Sequence, residues 1–174
     1  AVYSNDDKFE DLQASGFEGR TRAFLKIEDG CNRFCTYCII PTARGRVRSK
    51  AIEKIIEETM LLSKNGYREI VLTGINLPAY GHDIGLGLCD AVEAVCAQNG
   101  IDRVRLGSLE PERLTQDVID RFAAQEKLCP QFHLSLQSGC DKTLKKMNRH
   151  YTSQEYAEIV EDLRSSFADC AVTT

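Results

Sequence analysis

The sequence lacks any hydrophobic run long enough to cross a membrane. Its first residues, AVYSNDDKFEDL, are acidic and polar, and they lack the charged-then-apolar order of a secretory signal peptide. Internal repeats and low-complexity tracts are also absent from the sequence. From these absences we expect a cytoplasmic protein that does not bind a membrane.

An excess of positive charge is also lacking. The 22 Lys and Arg residues are outnumbered by 26 Asp and Glu residues, which gives a net charge of −4. Such a surface is not built as a whole for a polyanion, so any nucleic acid would be bound by local patches or by another region. The 174 residues, of which 43% are hydrophobic, are enough for one domain with a buried core.

Residues 1–20 are rich in Asp, Glu and Gly, and we predict that they form a linker from a missing N-terminal domain. Residues 21–174 alternate between short apolar segments and helical patterns. Strands are predicted over 24–27, 70–72, 104–106, 132–136 and 171–173. The helix after the first strand is expected to use Ser49 as its N-cap. Strand–helix–strand units of this length favour parallel pairing with right-handed crossovers. The sequence therefore predicts an α/β fold, the N-terminal part of a TIM-like barrel that stops at its fifth parallel strand, with outer helices.

Eight cysteines are many for a chain of this size. Without a secretory signal, clustered cysteines indicate metal ligation rather than disulfides. Cys31, Cys35 and Cys38 directly follow the first predicted strand with the spacing C-x3-C-x2-C. Three thiolates on one loop can hold three corners of an iron–sulfur cube and leave the last iron open to a substrate. The alternative is structural zinc, which needs four ligands and could take His82 as a distant fourth, although nothing in the context of His82 requires this.

This spacing, with the aromatic Tyr37 before the last cysteine, resembles the signature of the radical S-adenosylmethionine (SAM) superfamily. The string FLKIEDGCNRFCTYCIIPTARGRVRS resembles the methylthiotransferase branch of that superfamily. Three further strings agree with this branch: LTGINLPAYG at 72–81, SLEP at 108–111 and HLSLQSGCDKTLKKMNRHYT at 133–152. The likeness is greatest to the MtaB-type enzymes, which methylthiolate N6-threonylcarbamoyladenosine beside the tRNA anticodon.

The resemblance implies that Cys31, Cys35 and Cys38 hold a [4Fe-4S] cluster whose open iron binds SAM, so that the cofactors and not a side chain perform the reaction. It also implies a second [4Fe-4S] cluster in the missing N-terminal domain, a C-terminal domain that grips RNA, and a cellular electron donor. The tRNA would then be held mainly by regions outside this chain. We expect the chain alone to be monomeric and inactive in methylthiolation.

Cofactor-binding residues are expected where the predicted strands end, because catalytic groups of parallel barrels gather at that face. The candidates are Tyr37 beside the cluster or the adenine, Thr73, Gly74 and Asn76 after the second strand, Glu110 after the third, and Ser135 and Gln137 on or after the fourth. By resemblance, the stretch from Thr73 to Asn76 meets the methionine amino group of SAM. Ser135 and Gln137 alternate with leucines and are expected to share one strand face. The alternatives are ordinary packing of Tyr37, a plain turn at 73–76, a solvated strand face at Ser135 and Gln137, and an ion pair between Glu110 and a buried arginine.

Two basic stretches, 44–50 and 142–150, stand out against the acidic total. Both follow the ends of predicted strands, so they are placed to flank one opening of the barrel. Arginine suits phosphate and carboxylate recognition because of its planar fork, and a tRNA backbone or the SAM carboxylate would fit. The candidate residues are Arg44, Arg46, Arg48, Lys145 and Arg149. The alternative is two solvated runs of charge.

The sequence leaves three functions open. The first is a tRNA methylthiotransferase acting on threonylcarbamoyladenosine or on isopentenyladenosine. The second is the sister enzyme that modifies an aspartate of a ribosomal protein and shares the cysteine loop. The third is a zinc-binding module without enzymatic activity.

Overall fold

The computed structural model describes residues 8–174. The strands are β1 (Ala23–Lys26), β2 (Glu28–Asp29), β3 (Arg48–Ser49), β4 (Glu69–Thr73), β5 (Arg103–Leu106), β6 (Gln131–His133) and β7 (Ala171–Thr173). The α-helices are α1 (Ile40–Ala43), α2 (Ile52–Lys64), α3 (Leu88–Cys96), α4 (Gln116–Ala123), α5 (Asp141–Lys146) and α6 (Ser153–Ser166). Short 3-10 turns at Leu77–Ala79 and Pro111–Arg113 follow β4 and β5.

Parallel strands form the centre of the fold. β4 lies between β1 and β5, with Leu25 opposite Leu72 and Leu72 opposite Leu106. β6 pairs in parallel with β7, and isolated parallel bridges at Val104 and Leu109 connect the β5 region to the β6 region. Helices separate the successive parallel strands along the chain. The predicted α/β architecture of parallel strands with outer helices is therefore confirmed.

The central strand is apolar on both of its faces. Ile70, Val71 and Leu72 of β4 are 0%, 8% and 0% exposed. Consecutive buried residues are typical of a parallel strand that is covered on both sides. The helices instead bury one face each, as Ile55 and Leu62 of α2 do at a spacing of two helical turns.

The carboxyl ends of the parallel strands meet at one edge of the sheet, and the loops that follow β1, β4, β5 and β6 converge there. The loop over residues 30–47 carries the three clustered cysteines. The antiparallel pair β2 and β3 closes the base of this loop, with Asp29 opposite Arg48. Sequence periodicity does not predict this pair, because each strand has only two residues.

Ser49 does not cap α2, which corrects the sequence prediction. Its hydroxyl donates to Asp83 Oδ1 at 2.5 Å and accepts the N–H of Gly81 at 2.8 Å. The N-cap position of α2 is Ala51, which has no capping side chain. Ser49 instead ties β3 to the loop after β4.

The fourth predicted strand is shorter than expected. β6 ends at His133, and Gln137 has a φ of 63°, which is outside extended backbone. Ser135 and Gln137 therefore do not share a strand face. This irregular segment is followed by α5, a six-residue helix that is not predicted from the sequence.

The predicted linker over residues 1–20 lies partly outside the described residues. Its described part, 8–20, contains no helix or strand, but it is held in place. The N–H of Phe17 donates to Tyr67 Oη at 2.6 Å, and the N–H of Ala14 donates to Glu58 Oε1 at 3.1 Å. Within residues 8–174, no helix has both the length and the apolar character needed to cross a membrane.

Candidate functional site

The cysteine loop, residues 30–47, begins at a position that requires glycine. Gly30 has a φ of 87°, and a Cβ there would lie 2.0 Å from the carbonyl oxygen of Arg46. Arg48, whose side chain is buried, donates to the carbonyl oxygens of Arg44 and Arg46 at 2.9 and 3.1 Å. The N–H of Cys31 donates to the carbonyl oxygen of Gly45 at 3.0 Å, so the two ends of the loop are held together beyond the end of β1.

Positive charge at the base of the loop gathers around Asp29. Its Oδ2 lies 2.6 Å from Lys26 Nζ, 3.5 Å from Arg44 Nη1 and 3.8 Å from Arg48 Nη2. Burial favours protonation of Asp29, but Lys26 foremost, then the N–H of Gly30 and the charge of Arg44, hold its pKa below the ordinary value. Arg44 and Arg48, predicted to meet phosphate, thus pair with a carboxylate of the protein itself.

The three cysteines border a cavity of about 180 Å³ at the carboxyl edge of the strands. All three thiols are free. The cavity is also lined by five of the other residues predicted from the sequence: Tyr37, Asn76, Glu110, Gln137 and Arg149. Side chains from at least four separate stretches of the chain are thereby brought to one place.

Two of the three sulfurs face a side-chain N–H donor. Asn76 Nδ2 lies 3.7 Å from Cys31 Sγ, and Arg149 Nη1 lies 3.4 Å from Cys35 Sγ. Burial raises the pKa of the Cys31 thiol, while the hydrogen bonds from Arg33 and Asn76 oppose that rise. Such donors orient a ligating sulfur and tune a metal group bound to it.

Beside the cysteine loop lies a buried group of ion pairs, which we call the charge quartet: Arg33, Glu110, Glu112 and Arg149. Arg33 binds both carboxylate oxygens of Glu112 (Nη2–Oε2, 2.7 Å), and its Nε lies 4.0 Å from Glu110 Oε2. Arg149 binds Glu110, and the two arginine side chains are only 6% and 3% exposed. The quartet contains two positive and two negative side chains. Glu110 thus pairs with a buried arginine, which was the alternative to cofactor binding.

Burial and charge act against each other within the quartet. Burial raises the pKa of Glu110, and the neighbouring guanidiniums of Arg149 and Arg33 oppose that rise. Burial lowers the pKa of Arg149, but Glu110 and Cys35 outweigh this and raise it above the ordinary value. Arg149 therefore keeps its positive charge although it is buried.

The segment after α5 is hydrogen-bonded to the cysteine loop. Asn148 Nδ2 donates to the carbonyl oxygens of Arg33 and Phe34 at 3.3 and 3.1 Å. The N–H of Thr36 donates in turn to the carbonyl oxygen of Met147 at 3.2 Å. Asn148 and Phe34 have φ values of 58° and 52°, a region that asparagine tolerates better than phenylalanine. Contacts from more than 100 residues away thus fix the shape of the loop.

A carboxyl group that the sequence analysis did not single out lies behind the cavity. Glu28 is fully buried, and its Oε2 accepts the N–H of Asn76 at 2.7 Å. A Cβ at Gly74 would lie 2.6 Å from the same oxygen, so Gly74 makes room for Glu28. Burial raises the pKa of Glu28 to about 7. Within residues 8–174, Glu28 Oε1 and Asn76 Oδ1 are buried without a hydrogen-bond partner.

Several predicted site residues lie outside the lining of the cavity: Thr73, Gly74, Ser135, Arg44, Arg46, Arg48 and Lys145. Thr73 Oγ1 donates across the sheet to the carbonyl oxygen of Leu25 at 3.4 Å. The carbonyl oxygen of Ser135 accepts the hydroxyl of Tyr151 at 2.6 Å. Arg46 and Lys145 are exposed. Arg149 differs most from its prediction, because it is buried against Cys35 rather than presented to phosphate.

Sequence reasoning missed Arg33, Glu28 and Asn148. Arg33 lies between the first two cysteines, and its place within the cysteine motif was a signal that it belongs to the site. Glu28 follows the mainly apolar residues of the first strand, and this position was a signal that its carboxyl group is buried. Asn148 carries no local signal, because its partners lie more than 110 residues earlier in the chain.

A model of the radical SAM superfamily matches residues 25–174 of this chain. The chain belongs to the radical SAM superfamily. It is 41% identical over 173 residues to threonylcarbamoyladenosine tRNA methylthiotransferase MtaB of Chlamydia pneumoniae, covering 99% of this chain and 41% of that protein. It is 43% identical over 155 residues to a tRNA-2-methylthio-N(6)-dimethylallyladenosine synthase of Clostridium botulinum, covering 88% of this chain and 34% of that protein. The chain thus spans about two fifths or less of the length of these relatives.

Solved structures of radical SAM enzymes share the fold. The methyltransferase TsrM of Kitasatospora setae matches with a TM-score of 0.68 at 16% identity, over 86% of this chain and 30% of that chain. Methylornithine synthase PylB matches with a TM-score of 0.61 at 14% identity, over 87% of this chain and 42% of that chain. At these identities the likeness extends to the fold alone.

Membership of the radical SAM superfamily implies a [4Fe-4S] cluster and SAM, and the residues at the cavity fit such a group. Three free thiols share one loop, two of their sulfurs face N–H donors, and an unpartnered oxygen of Asn76 lies beside them. Within residues 8–174, no three His, Cys, Asp or Glu side chains are grouped so as to hold one metal ion. A structural zinc ion needs four converging ligands, and His82 instead lies 3.1 Å from Arg113 Nη1. Three free thiols on one loop fit a cluster in which each thiolate binds its own iron and one iron has no protein ligand.

Proposed function

We propose that this chain is the cluster- and SAM-binding part of a tRNA methylthiotransferase that acts on N6-threonylcarbamoyladenosine. The observation that carries the proposal is the set of three free thiols on the loop after β1, bordering a cavity at the carboxyl edge of the parallel strands. Identities of 41–44% to three MtaB proteins support tRNA methylthiolation and include threonylcarbamoyladenosine among the candidate substrates. Activity, substrate and partners belong to the proposal, because the chain spans about two fifths of those proteins.

In this proposal Cys31, Cys35 and Cys38 hold the [4Fe-4S] cluster and leave one iron for SAM. Asn76 Oδ1 is buried and has no hydrogen-bond partner among residues 8–174. We assign it to an N–H group of SAM, because a buried acceptor needs a donor. Tyr37, which is 54% exposed at the cavity, packs its ring against the cofactors. Gln137 contributes a polar side chain from the segment after β6.

When bound, the cluster and SAM supply the one-electron chemistry that activates an otherwise unreactive carbon–hydrogen bond of the substrate. The contribution of the chain itself is to ligate, orient and shield. The β2–β3 pair and Gly30 fix the loop, while Asn76 and Arg149 donate to two of the sulfurs. Ile75 adds an apolar side chain to the lining of the cavity.

The tRNA would approach the same edge of the sheet. Arg46 and Lys145 are exposed, and α5, which carries Lys145, is joined to the cysteine loop through the contact of Thr36 with Met147. Cations in this place suit the RNA backbone. Further RNA contacts, a second cluster and the docking of a cytoplasmic electron donor are assigned to regions outside this chain.

A dimethylallyladenosine substrate is the second candidate. The chain is as similar to the Clostridium botulinum dimethylallyladenosine enzyme, at 43% identity over 155 residues, as it is to the MtaB protein of Thermotoga maritima, at 43% over 159 residues. Similarity of this part of the chain therefore favours tRNA methylthiolation more strongly than it favours either nucleoside.

The first experiment tests the cluster. After anaerobic reconstitution we expect about four iron and about four sulfide per chain, and a change in the absorption spectrum when SAM is added. Cys31→Ala, Cys35→Ala and Cys38→Ala serve as controls, and each should abolish stable iron binding. One zinc per chain with no iron would support the zinc-binding module and would contradict the proposal.

The second experiment tests the substrate. A protein that includes this chain and the remaining regions is supplied with tRNA carrying threonylcarbamoyladenosine, with tRNA carrying isopentenyladenosine, and with the ribosomal-protein substrate. We expect methylthiolation of the first RNA only. The chain by itself is expected to be inactive, so product formed by it alone would contradict the assignment of the missing functions to other regions.

A further inference from the structure

We infer that Arg149 is a positioning residue of the proposed cluster, which holds a positive charge against the Cys35 sulfur and raises the reduction potential of the cluster. This inference rests on the proposed function, since it requires a cluster on the cysteine loop. It gives Arg149 a role different from the phosphate contact that its basic sequence neighbourhood predicts.

The guanidinium of Arg149 is fixed on several sides. Its Nη1 lies 3.4 Å from Cys35 Sγ, while its Nη2 binds Glu110 and lies 3.4 Å from the carbonyl oxygen of Ser135. Its Cζ lies 5.3 Å from the centre of the Tyr151 ring, and only 3% of the side chain is exposed. Because the guanidinium is planar and its donors have fixed directions, these contacts hold Nη1 towards the sulfur.

Tyr151 and Asn148 secure the backbone around Arg149. The hydroxyl of Tyr151 donates to the carbonyl oxygens of Ser135 and Leu136, both at 2.6 Å. Asn148, the residue before Arg149, binds the backbone of the cysteine loop. The position of Arg149 relative to Cys35 is therefore fixed by contacts with the segment after β6 and with the cysteine loop.

The charge quartet as a whole is balanced, so its field decreases quickly with distance. The member that contacts a cysteine sulfur is the positive Arg149, through its Nη1, and Glu110 binds the other terminal nitrogen of the same guanidinium. Reduction adds negative charge to a cluster, so a nearby positive charge stabilises the reduced form, and burial strengthens this effect. The donors to Cys31 are neutral, namely the side chain of Asn76 at 3.7 Å and the backbone N–H of Arg33, whereas the Arg149 donor to Cys35 is a cation.

The test measures the midpoint potential of the reconstituted chain without SAM, by dithionite titration followed by electron paramagnetic resonance at pH 8. Arg149→Met should lower the potential, and Glu110→Gln should raise it. The Arg149→Met/Glu110→Gln double variant should lie between Arg149→Met and the wild type. For Arg149→Met we expect a change of at least about tenfold in the reduction equilibrium, which is about 59 mV for one electron.

Arg103→Met is the matched control. Arg103 also pairs with a carboxylate, with its Nε 3.0 Å from Glu69 Oε2, but it begins β5 at the opposite end of the strand from the cysteine loop. Its loss should leave the potential unchanged. The double variant removes both charges of a buried pair, so it keeps the test decisive if Arg149→Met alone fails to fold.

Potentials that stay constant, or that move in the same direction in Arg149→Met and Glu110→Gln, would show that Arg149 only packs against the loop and would overturn the inference. A difference that appears only after SAM is added would assign Arg149 to SAM and would overturn it as well. If the wild-type chain takes up no iron, the proposed function fails and the inference fails with it. Iron uptake with unchanged potentials removes the inference alone.

Discussion

The central sheet and the cysteine loop are held by different forces. In the sheet, Leu25 and Leu72 are fully buried and pair directly across β1 and β4. In the loop, Phe34 and Ile39 are 64% and 68% exposed. The loop is fixed by backbone closure at its base, by ion pairs and by hydrogen bonds from residues more than 70 positions away. Apolar burial therefore stabilises the sheet, whereas polar contacts shape the loop.

This difference has a consequence for motion. Each ordinary hydrogen bond contributes a net of only about 1 kcal/mol, whereas burial of one large aliphatic side chain contributes about 2–3 kcal/mol. The contacts that hold the loop can therefore open while the sheet stays folded, as partial unfolding does in other proteins. Substitutions in the two regions should separate into effects on the site and effects on the whole fold.

The largest separation is expected for the cysteines. Changing Cys31, Cys35 and Cys38 together to alanine should remove all iron binding, because every proposed ligand is lost. The free energy of unfolding of the cluster-free chain should stay within about 1 kcal/mol of the wild type, because these thiols form no part of the apolar core. Iron analysis after reconstitution and urea unfolding followed by circular dichroism measure the two quantities.

Cys89→Ala provides the opposite case. Cys89 is 3% exposed within the core face of α3, so its loss should lower the free energy of unfolding by about 1 kcal/mol. Iron uptake per folded chain should remain at the wild-type value. Substantial loss of iron in Cys89→Ala, with retained folding, would mean that the loop and the core are not separate.

The next effect is expected in the sheet. Leu72→Ala should lower the free energy of unfolding by about 2–5 kcal/mol, because it opens a cavity at a fully buried position of β4. Leu12→Ala removes the same atoms from a side chain that is 75% exposed, and should change stability by less than about 0.5 kcal/mol. Urea unfolding compares the two variants, and equal losses would contradict the assignment of stability to the sheet.

The same difference explains what the sequence predicts and what it does not. β1, β4 and β5 and the helices α2, α3, α4 and α6 bury apolar residues, and burial leaves a periodic pattern in the sequence. The cysteine spacing is local and is read directly. β2 and β3 have two residues each, and α5 presents lysines to solvent, so neither leaves such a pattern.

The burial of Arg149 is the clearest feature of the site that the sequence does not predict. In the sequence it belongs to a basic run, which usually indicates a solvated surface. Its burial depends on Glu110, which lies 39 residues away, and on the positive φ of Asn148, which reverses the chain after α5. No window of neighbouring residues contains both conditions, so only the assembled fold reveals them.

A smaller effect, dependent on pH, is expected at Glu28 beside the site. Burial raises its pKa from 4.5 to about 7, so the folded chain binds this proton more tightly than the unfolded chain does. Stability should therefore fall as pH rises from about 4.5 to about 7, by up to about 3 kcal/mol. Glu28→Gln keeps an acceptor for the N–H of Asn76 and avoids the buried charge. It should stabilise the cluster-free chain at pH 8 and have little effect at pH 4.5.

Urea unfolding at the two pH values measures this prediction. Glu57→Gln is the matched control, because the Glu57 side chain is 55% exposed on α2 and its neutralisation should have little effect at either pH. An equal gain of stability in Glu28→Gln at pH 4.5 and pH 8 would mean that shape, rather than charge, limits this position.

The smallest effect is expected where the loop is clasped. Asn148→Gly keeps a residue that tolerates a φ of 58° and removes only the side chain that binds the carbonyl oxygens of Arg33 and Phe34. We expect a local loss of about 1 kcal/mol, which is about a fivefold decrease in hydrogen-exchange protection of the Thr36 amide. The amides of β4 should keep their protection, because they open only with the sheet.

Asp169→Gly separates the lost contacts from the added flexibility of glycine. Asp169 has a φ of 54° and is exposed in the turn before β7, so this variant makes the same backbone change away from the loop. It should leave the exchange of the Thr36 amide unchanged. If Asn148→Gly instead lowers the protection of Thr36 and of β4 to the same extent, the loop and the sheet unfold as one unit. The polar contacts of the loop would then not open separately from the apolar core.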